Sequence, residues 1–293
     1  LTYHKAGGQA VCHYCGYHEP APNKCPECGS KYIRYFGSGT EKLEEAVSDL
    51  FPEYAAERLD LDTVKRKGEL TRKLKAFRSG KTQILIGTQI IAKGLDFRNV
   101  GLSGIVSADV SLNIPDFRSP ERTFQLITQA AGRAGRGDSQ GHVVIQTYSP
   151  EHYAVAFASQ HDYKGFFETE KQLRAYMGYP PYSDLFQIVF TAKREDAAKD
   201  GAESWYERIR GRMAREDQEM VFPPQQAYLG KIKDIYRYSM LIKCPQGRRA
   251  EYSRIVAAVR EEDIEKKKKD TKHFPDKKAG IHSSQHTQKR QRK

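Results

Sequence analysis

TQAAGRAGRG, residues 128–137, sets two arginines, Arg133 and Arg136, three apart between glycines. The stretch follows an amphipathic run over Thr123–Ile127 and precedes an apolar, strand-like segment, HVVIQTY, over His142–Tyr148. Glycine lets the backbone approach a charged ligand closely, and arginine offers a permanently charged fork that pairs with phosphate. Such a pair suits an arginine finger acting on a transferring phosphoryl group. A basic turn on a solvated surface is the plainer alternative for a motif this short.

Upstream, residues 83–97 read QILIGTQIIAKGLDF, an apolar strand, a polar Gly-Thr-Gln turn and then Ala-Lys-Gly-Leu-Asp-Phe. Further elements follow from periodicity. Leu43, Val47 and Leu50 fall at helical spacing after Thr40, a candidate N-cap, and Glu69–Phe77 predicts a second amphipathic helix ending near Ser79-Gly80. Ala56–Leu61, Gln83–Thr88, Gly101–Ser107 and His142–Tyr148 predict strands. Strands alternating with helices predict a parallel sheet with flanking helices. Ser79-Gly80-Lys81-Thr82 imitates the end of a phosphate-binding P-loop. That loop requires glycine where Lys75 stands and a following helix where a strand follows, so the match is rejected.

Near the start, CHYCGYHEPAPNKCPECGS places Cys12, Cys15, Cys25 and Cys28 as two CxxC pairs, with Gly16 and Gly29 where the chain must turn around an ion. Four thiolates at this spacing close a tetrahedral zinc site. A redox CxxC is the competing chemistry, but it belongs at a helix start in a βαβ setting. Cys244 reads as a buried strand residue.

The 293 residues carry a net charge of +12, and no segment approaches the roughly 20 apolar residues of a membrane span. The start, LTYHKAGG, is no signal peptide. The expected location is cytoplasmic, with no membrane partner. Residues 265–293 hold eleven Lys/Arg against three Asp/Glu, which leaves only +4 for the rest. Basicity suits a nucleic-acid partner, but a mildly basic body does not establish one.

After Pro150 a helical stretch carries Tyr153, Phe157, Phe166, Phe167 and Leu173, aromatics whose spacing reads as core before base-stacking platform. Tyr179-Pro180-Pro181-Tyr182 breaks it and marks a boundary. Leu185–Ala192 and Tyr236–Cys244 predict strands, with helices over Ala197–Met213 and Tyr252–Ile264, a β-α-β-α order for a small α/β domain. The end, poor in apolar residues, reads as a disordered basic tail.

GTQIIAKGLDF and QAAGRAGRG, in this order, resemble motifs V and VI of superfamily 2 helicases. With the CxxC pairs, residues 1 to about 260 resemble the primosomal protein N-prime family, the bacterial replication-restart helicases. The expected architecture is α/β: a partial zinc-binding insertion (1–36), the second RecA-like helicase lobe (37–150), a helical connector (151–182), a small α/β C-terminal domain (183–264) and the tail (265–293). The resemblance implies that Arg133 and Arg136 reach the γ-phosphate of ATP with its Mg2+, and that Gln129 orients groups in the same cleft. Gly94, Asp96 and Gly132 would line the nucleotide, and Thr88 and Lys93 would hold DNA phosphates. Asp116-Phe117-Arg118, in a polar connection over residues 108–122, would face DNA or the lobe interface, with a plain surface loop the equal alternative.

The family binds two zincs through four interleaved CxxC pairs. Cys12/Cys15 and Cys25/Cys28 therefore either share one ion here or are halves of two sites completed by residues before Leu1. The first lobe, with its Walker A and acidic box, is expected to precede this chain, as is a DNA-binding region. The resemblance also implies branched and single-stranded DNA, primosome proteins and single-strand DNA-binding protein as partners, 3′ to 5′ polarity and a nucleoid-associated location. Three functions compete: the C-terminal portion of a replication-restart helicase, another superfamily 2 fork-remodelling translocase, and a non-enzymatic zinc and nucleic-acid binding module. The CxxC pairs just before the lobe count against the second. By either of the other readings, this chain alone is expected to hydrolyse little or no ATP.

Overall fold

The computed structural model describes residues 2–4, 9–11, 18–20, 22–24, 28–31, 39–60, 68–88, 97, 99–135 and 140–273. They fall into two compact units, one comprising the opening strands with His18–Glu170, the other continuing from Lys171.

The first unit opens with three short antiparallel strands, β1 (Thr2–His4), β2 (Gln9–Val11) and β3 (His18–Pro20), with β2 in the middle. Thr2 and His18 both pair with Val11. Periodicity gave no sign of these strands, because three residues are too few to show an alternation.

The α/β part begins at α1 (Thr40–Leu50). Its N-cap is Gly39, not Thr40. Thr40 is the first helical residue, and its hydroxyl donates to the Asp60 carboxylate at 2.6 Å, a long-range partner that outcompetes the local cap. β4 (Ala56–Leu59), α2 (Glu69–Arg78) and β5 (Ile84–Gly87) follow, and β4 and β5 pair in parallel from Ala56↔Ile84 to Leu59↔Gly87. The Ser79-Gly80-Lys81-Thr82 decoy is the exit from α2. Gly80 takes φ +74°, its amide donates to the Phe77 carbonyl, and those of Lys81 and Thr82 donate to Ala76. These amides cap a helix C-terminus, the opposite of a phosphate cradle.

A second parallel pair, β6 (Leu102–Ile105) and β7 (His142–Ile145), is joined by the short α3 (Asp109–Leu112) and by α4 (Ser119–Ala131). α4 has proline in its first turn, where no intrahelical N–H is needed, and it buries Thr123, Phe124, Ile127 and Ala131. Phe124 and Ile127 pack with Ala108, Ala154, Val155, Ala158 and Phe166, and Ile105 and Ile145 border the cluster. The predicted parallel pairing is observed, each strand being shorter than its apolar run. The helix predicted after Pro150 is two, α5 (Tyr153–Ser159) and α6 (Tyr163–Met177), divided at His161 with φ +54°. Phe166 stacks on Phe124 at 4.2 Å, which makes it a core aromatic.

The second unit holds β8 (Ser183–Ala192), α7 (Glu195–Arg210), a 3-10 turn (Arg215–Met220), β9 (Gln225–Ile232), β10 (Ile235–Pro245) and α8 (Arg249–His273). The sheet is antiparallel, with β10 between β8 and β9. β9 was not predicted. It is an edge strand paired on one side only with no residue buried, so QQAYLGKI lacks a buried alternation. Lys233 and Asp234, both at positive φ (49° and 58°), turn β9 into β10, the backbone that a two-residue hairpin requires. Ile188, Phe190, Met240, Ile242 and Cys244 of the sheet pack with Trp205 and Ile209 of α7 and with Tyr252, Val256 and Val259 of α8. Arg208 spans the helices, donating to Asp263, to Glu262 and, at 2.8 Å, to the Val259 carbonyl. α8 runs to His273, past the predicted end at Ile264.

Candidate functional site

The turn after α4 carries Gly132 and Arg133, with Gln129 one helical turn back. The helix fixes the turn because its buried stripe runs to Ala131, the last helical residue. The backbone then tightens: Gly132 donates to Thr128, Arg133 to Ala130 and Ala134 to Ala131, at 2.9–3.1 Å. Gly135, at φ +74°, reverses the chain, and its amide donates to the Val100 carbonyl at 3.0 Å.

Two chemical consequences follow. Every backbone amide from Gly132 to Gly135 is engaged by a protein carbonyl, so these four have none to offer an anion. The turn also stands at a helix C-terminus, where the macrodipole favours cations, so an arginine sits in a field that suits its charge. The glycines therefore shape the turn, whereas the motif alone suggested close backbone approach to a ligand. Arg133 is half-buried. The Oε1 of Gln129 and the Oγ1 of Thr128 are buried without a hydrogen-bond partner among the described residues.

Thr88 follows β5 directly and is exposed. Phe97, which ends the KGLDF stretch, is buried edge-on against Phe77 of α2 at 4.8 Å. The assigned Lys93, Gly94, Asp96 and Arg136 lie outside the described residues, as do Cys12, Cys15 and Cys25. Cys28 is described and exposed. Among the described residues no three potential ligands cluster as a metal site, and no helix is long and apolar enough to cross a membrane.

Asp116 and Arg118 pair with each other. The Arg118 Nε and Nη2 donate to the two carboxylate oxygens at 2.8 and 2.6 Å, the Arg118 amide adds 2.9 Å, and Arg122 stands at 3.2 Å. Burial opposes the charge on Asp116, yet these donors hold its carboxyl below the usual range. The group braces the entry to α4, together with the Ser119 hydroxyl donating to Ile114 at 2.6 Å. Buried Asp109 plays a similar part, accepting from Thr147 at 3.0 Å and from the Tyr148 amide at 3.1 Å. Sequence reasoning passed over Asp109, whose partners lie nearly 40 residues away, and Gly141, whose only signal was a glycine just before a strand.

Comparison with known proteins covers most of the chain. Residues 1–20 match the PriA DNA helicase Cys-rich region domain, 30–138 the helicase conserved C-terminal domain, and 175–274 the primosomal protein N C-terminal domain. The chain is 45% identical over 248 residues to the replication restart protein PriA of Bacillus subtilis (strain 168), covering 84% of the chain and 30% of that protein. It is 41% identical over 245 residues to that of Treponema pallidum (strain Nichols), covering 84% and 37%. To that of Haemophilus influenzae (strain ATCC 51907 / DSM 11121 / KW20 / Rd) it is 43% identical over 199 residues, covering 68% and 27%. The chain thus spans about a third of the length of the first two relatives.

Proposed function

We infer that this chain, which belongs to the replication restart protein PriA family, supplies the second RecA-like lobe of an ATP-dependent DNA helicase that restarts stalled replication forks. The observation that carries the reading is the arginine-bearing turn at the end of α4, where the backbone bonds of residues 132–135 set Arg133 at a helix C-terminus. Arg133 and Arg136 reach the γ-phosphate of ATP and stabilise charge that develops during its hydrolysis. Gln129 orients groups in the same cleft, and Gly94, Asp96 and Gly132 border the nucleotide. Thr88 and Lys93 hold phosphates of the DNA strand, contacts that position and do not read sequence.

Cys12, Cys15, Cys25 and Cys28 hold zinc, as one shared ion or as halves of two sites; the donor set, four thiols in CxxC pairs, fits that metal. Bound zinc would fold this region, because the metal's binding energy is spent on ordering its ligands. The remaining partners are forked and single-stranded DNA, primosome proteins and single-strand DNA-binding protein, in a bacterial cytoplasm. The division at residues 36, 150 and 182 belongs to the same proposal, whereas α8 carries the last part past 264 to His273. Another fork-remodelling translocase is disfavoured, since the family models at both ends of the chain are primosomal.

The Ser79-Gly80-Lys81-Thr82 stretch, with Lys75 where a Walker A loop needs glycine, is no P-loop, and the 293-residue chain by itself is expected to turn over little or no ATP. The test is ATP hydrolysis by the purified chain with and without forked DNA, beside the protein of the relatives' full length. Turnover confined to the longer protein is expected. Robust hydrolysis by the chain alone would overturn the assignment of this lobe as the completing half.

A further inference from the structure

We propose that Gly141 is the positioning residue of the arginine-bearing turn, a role that rests on the reading of Arg133 given above. A Cβ built on Gly141 would lie 2.2 Å from the Gly135 nitrogen, 2.5 Å from the Ala134 carbonyl carbon and 2.7 Å from the Gly135 Cα. All three are backbone atoms, which cannot swing aside as the end of a flexible side chain can. Gly141 has no positive φ, so glycine is required there for space and not for conformation.

The contact has a fixed frame around it. Gly135 donates to the Val100 carbonyl at 3.0 Å and His142 to the Gly101 carbonyl at 2.8 Å. The turn and the start of β7 are thereby hung side by side on the two residues that lead into β6. Gly141 is the place where the two segments touch. A methyl group there needs about 1 Å or more of extra room before it reaches ordinary contact distance, and His142 is held in the β6–β7 register. The displacement therefore falls on Ala134 and Gly135, and through them on Arg133, one residue earlier. A shift of that size in a group aligned on a reacting phosphate costs on the order of 100-fold in rate.

Gly141 touches no nucleotide in this account; it acts through the turn. Its signature is a loss in kcat with binding and fold preserved. The experiment uses the full-length protein containing this chain, with Gly141→Ala, Arg133→Ala and the double variant. It measures kcat and KM for DNA-stimulated ATP hydrolysis, fork-DNA affinity, thermal unfolding, and hydrogen exchange at the Gly135 amide. The expected result for Gly141→Ala is a kcat about 100-fold lower, with KM for ATP, DNA affinity and unfolding temperature close to the parent and faster exchange at Gly135. In the Arg133→Ala background the same substitution adds little. An unchanged kcat in Gly141→Ala, beside a crippled Arg133→Ala, would overturn the role of Gly141 alone. An active Arg133→Ala would overturn the reading of the arginine, and the Gly135 exchange rate would still judge the positioning. Should Gly141→Ala not fold, the unsubstituted protein decides: a Gly135 amide protected like that of His142 supports the proposal, and a freely exchanging one overturns it.

Discussion

Gly135 donates its amide to the Val100 carbonyl at 3.0 Å, next to the carbonyl of Gly101 that His142 takes at 2.8 Å. Residues seven apart in the chain are thus pinned to consecutive carbonyls. The end of the arginine-bearing turn inherits its place from β6, and the packed stripe of α4 fixes the other end.

The core under that turn sets its rigidity. Phe124 is 4% exposed and stacks on Phe166 at 4.2 Å. Phe124→Ala is expected to cost about 3–5 kcal/mol, seen as a lower urea midpoint for the first unit with the second unit's transition unmoved. Equal destabilisation of both units would contradict the division of the core.

Asp116 provides a pH-dependent brace. Its carboxyl is depressed in the folded chain, so its contribution is complete above the unfolded value of about 3.9 and is lost as the pH falls through the folded value. Asp116→Asn is expected to lower stability by about 1 kcal/mol at pH 7, a modest figure because the arginines are partly solvated. The gap between variant and parent should close below about pH 4. A gap that persists once Asp116 is protonated in the folded chain would mean that the loss is steric.

The second unit is expected to weaken at the alkaline end. Burial, with Asp184 nearby, pushes the Cys244 thiol up to about 11, and burial with Asp217 pushes the Tyr252 hydroxyl up to about 12. For groups raised on folding, the stability they add is whole below the unfolded pKa and drains as the pH rises through the folded one. Thermal stability of this unit should therefore fall from pH 9 toward pH 11. Cys244 should resist thiol reagents at pH 8 until the unit unfolds. Fast labelling of the folded chain at Cys244 would show that the sheet opens readily.

The elements that carry the arginine-bearing turn were legible because their signals are local. The i, i+4 apolar spacing before GRAGRG is the buried face of α4, and the lysine at position 75 exposed the SGKT stretch as a false P-loop. What stayed hidden depends on partners that no spacing pattern names. Periodicity does not say that Asp116 would take Arg118 and Arg122 as its partners, that the Thr40 hydroxyl would turn to Asp60 twenty residues away, or that Gly141 would lie on the backbone of Gly135. β9 escaped for a different reason: an edge strand with one partner needs no apolar alternation to be stable.

The central claim is that Arg133 and Arg136 serve the phosphoryl-transfer step. It is tested most directly by steady-state ATP hydrolysis of full-length protein carrying Arg133→Ala or Arg136→Ala, measured beside fork-DNA affinity. The account predicts a kcat lower by roughly 1,000-fold or more with DNA affinity nearly unchanged. Parent-like ATP turnover in either variant would contradict the role assigned to that arginine, and in both it would remove the arginine-bearing turn from the chemistry.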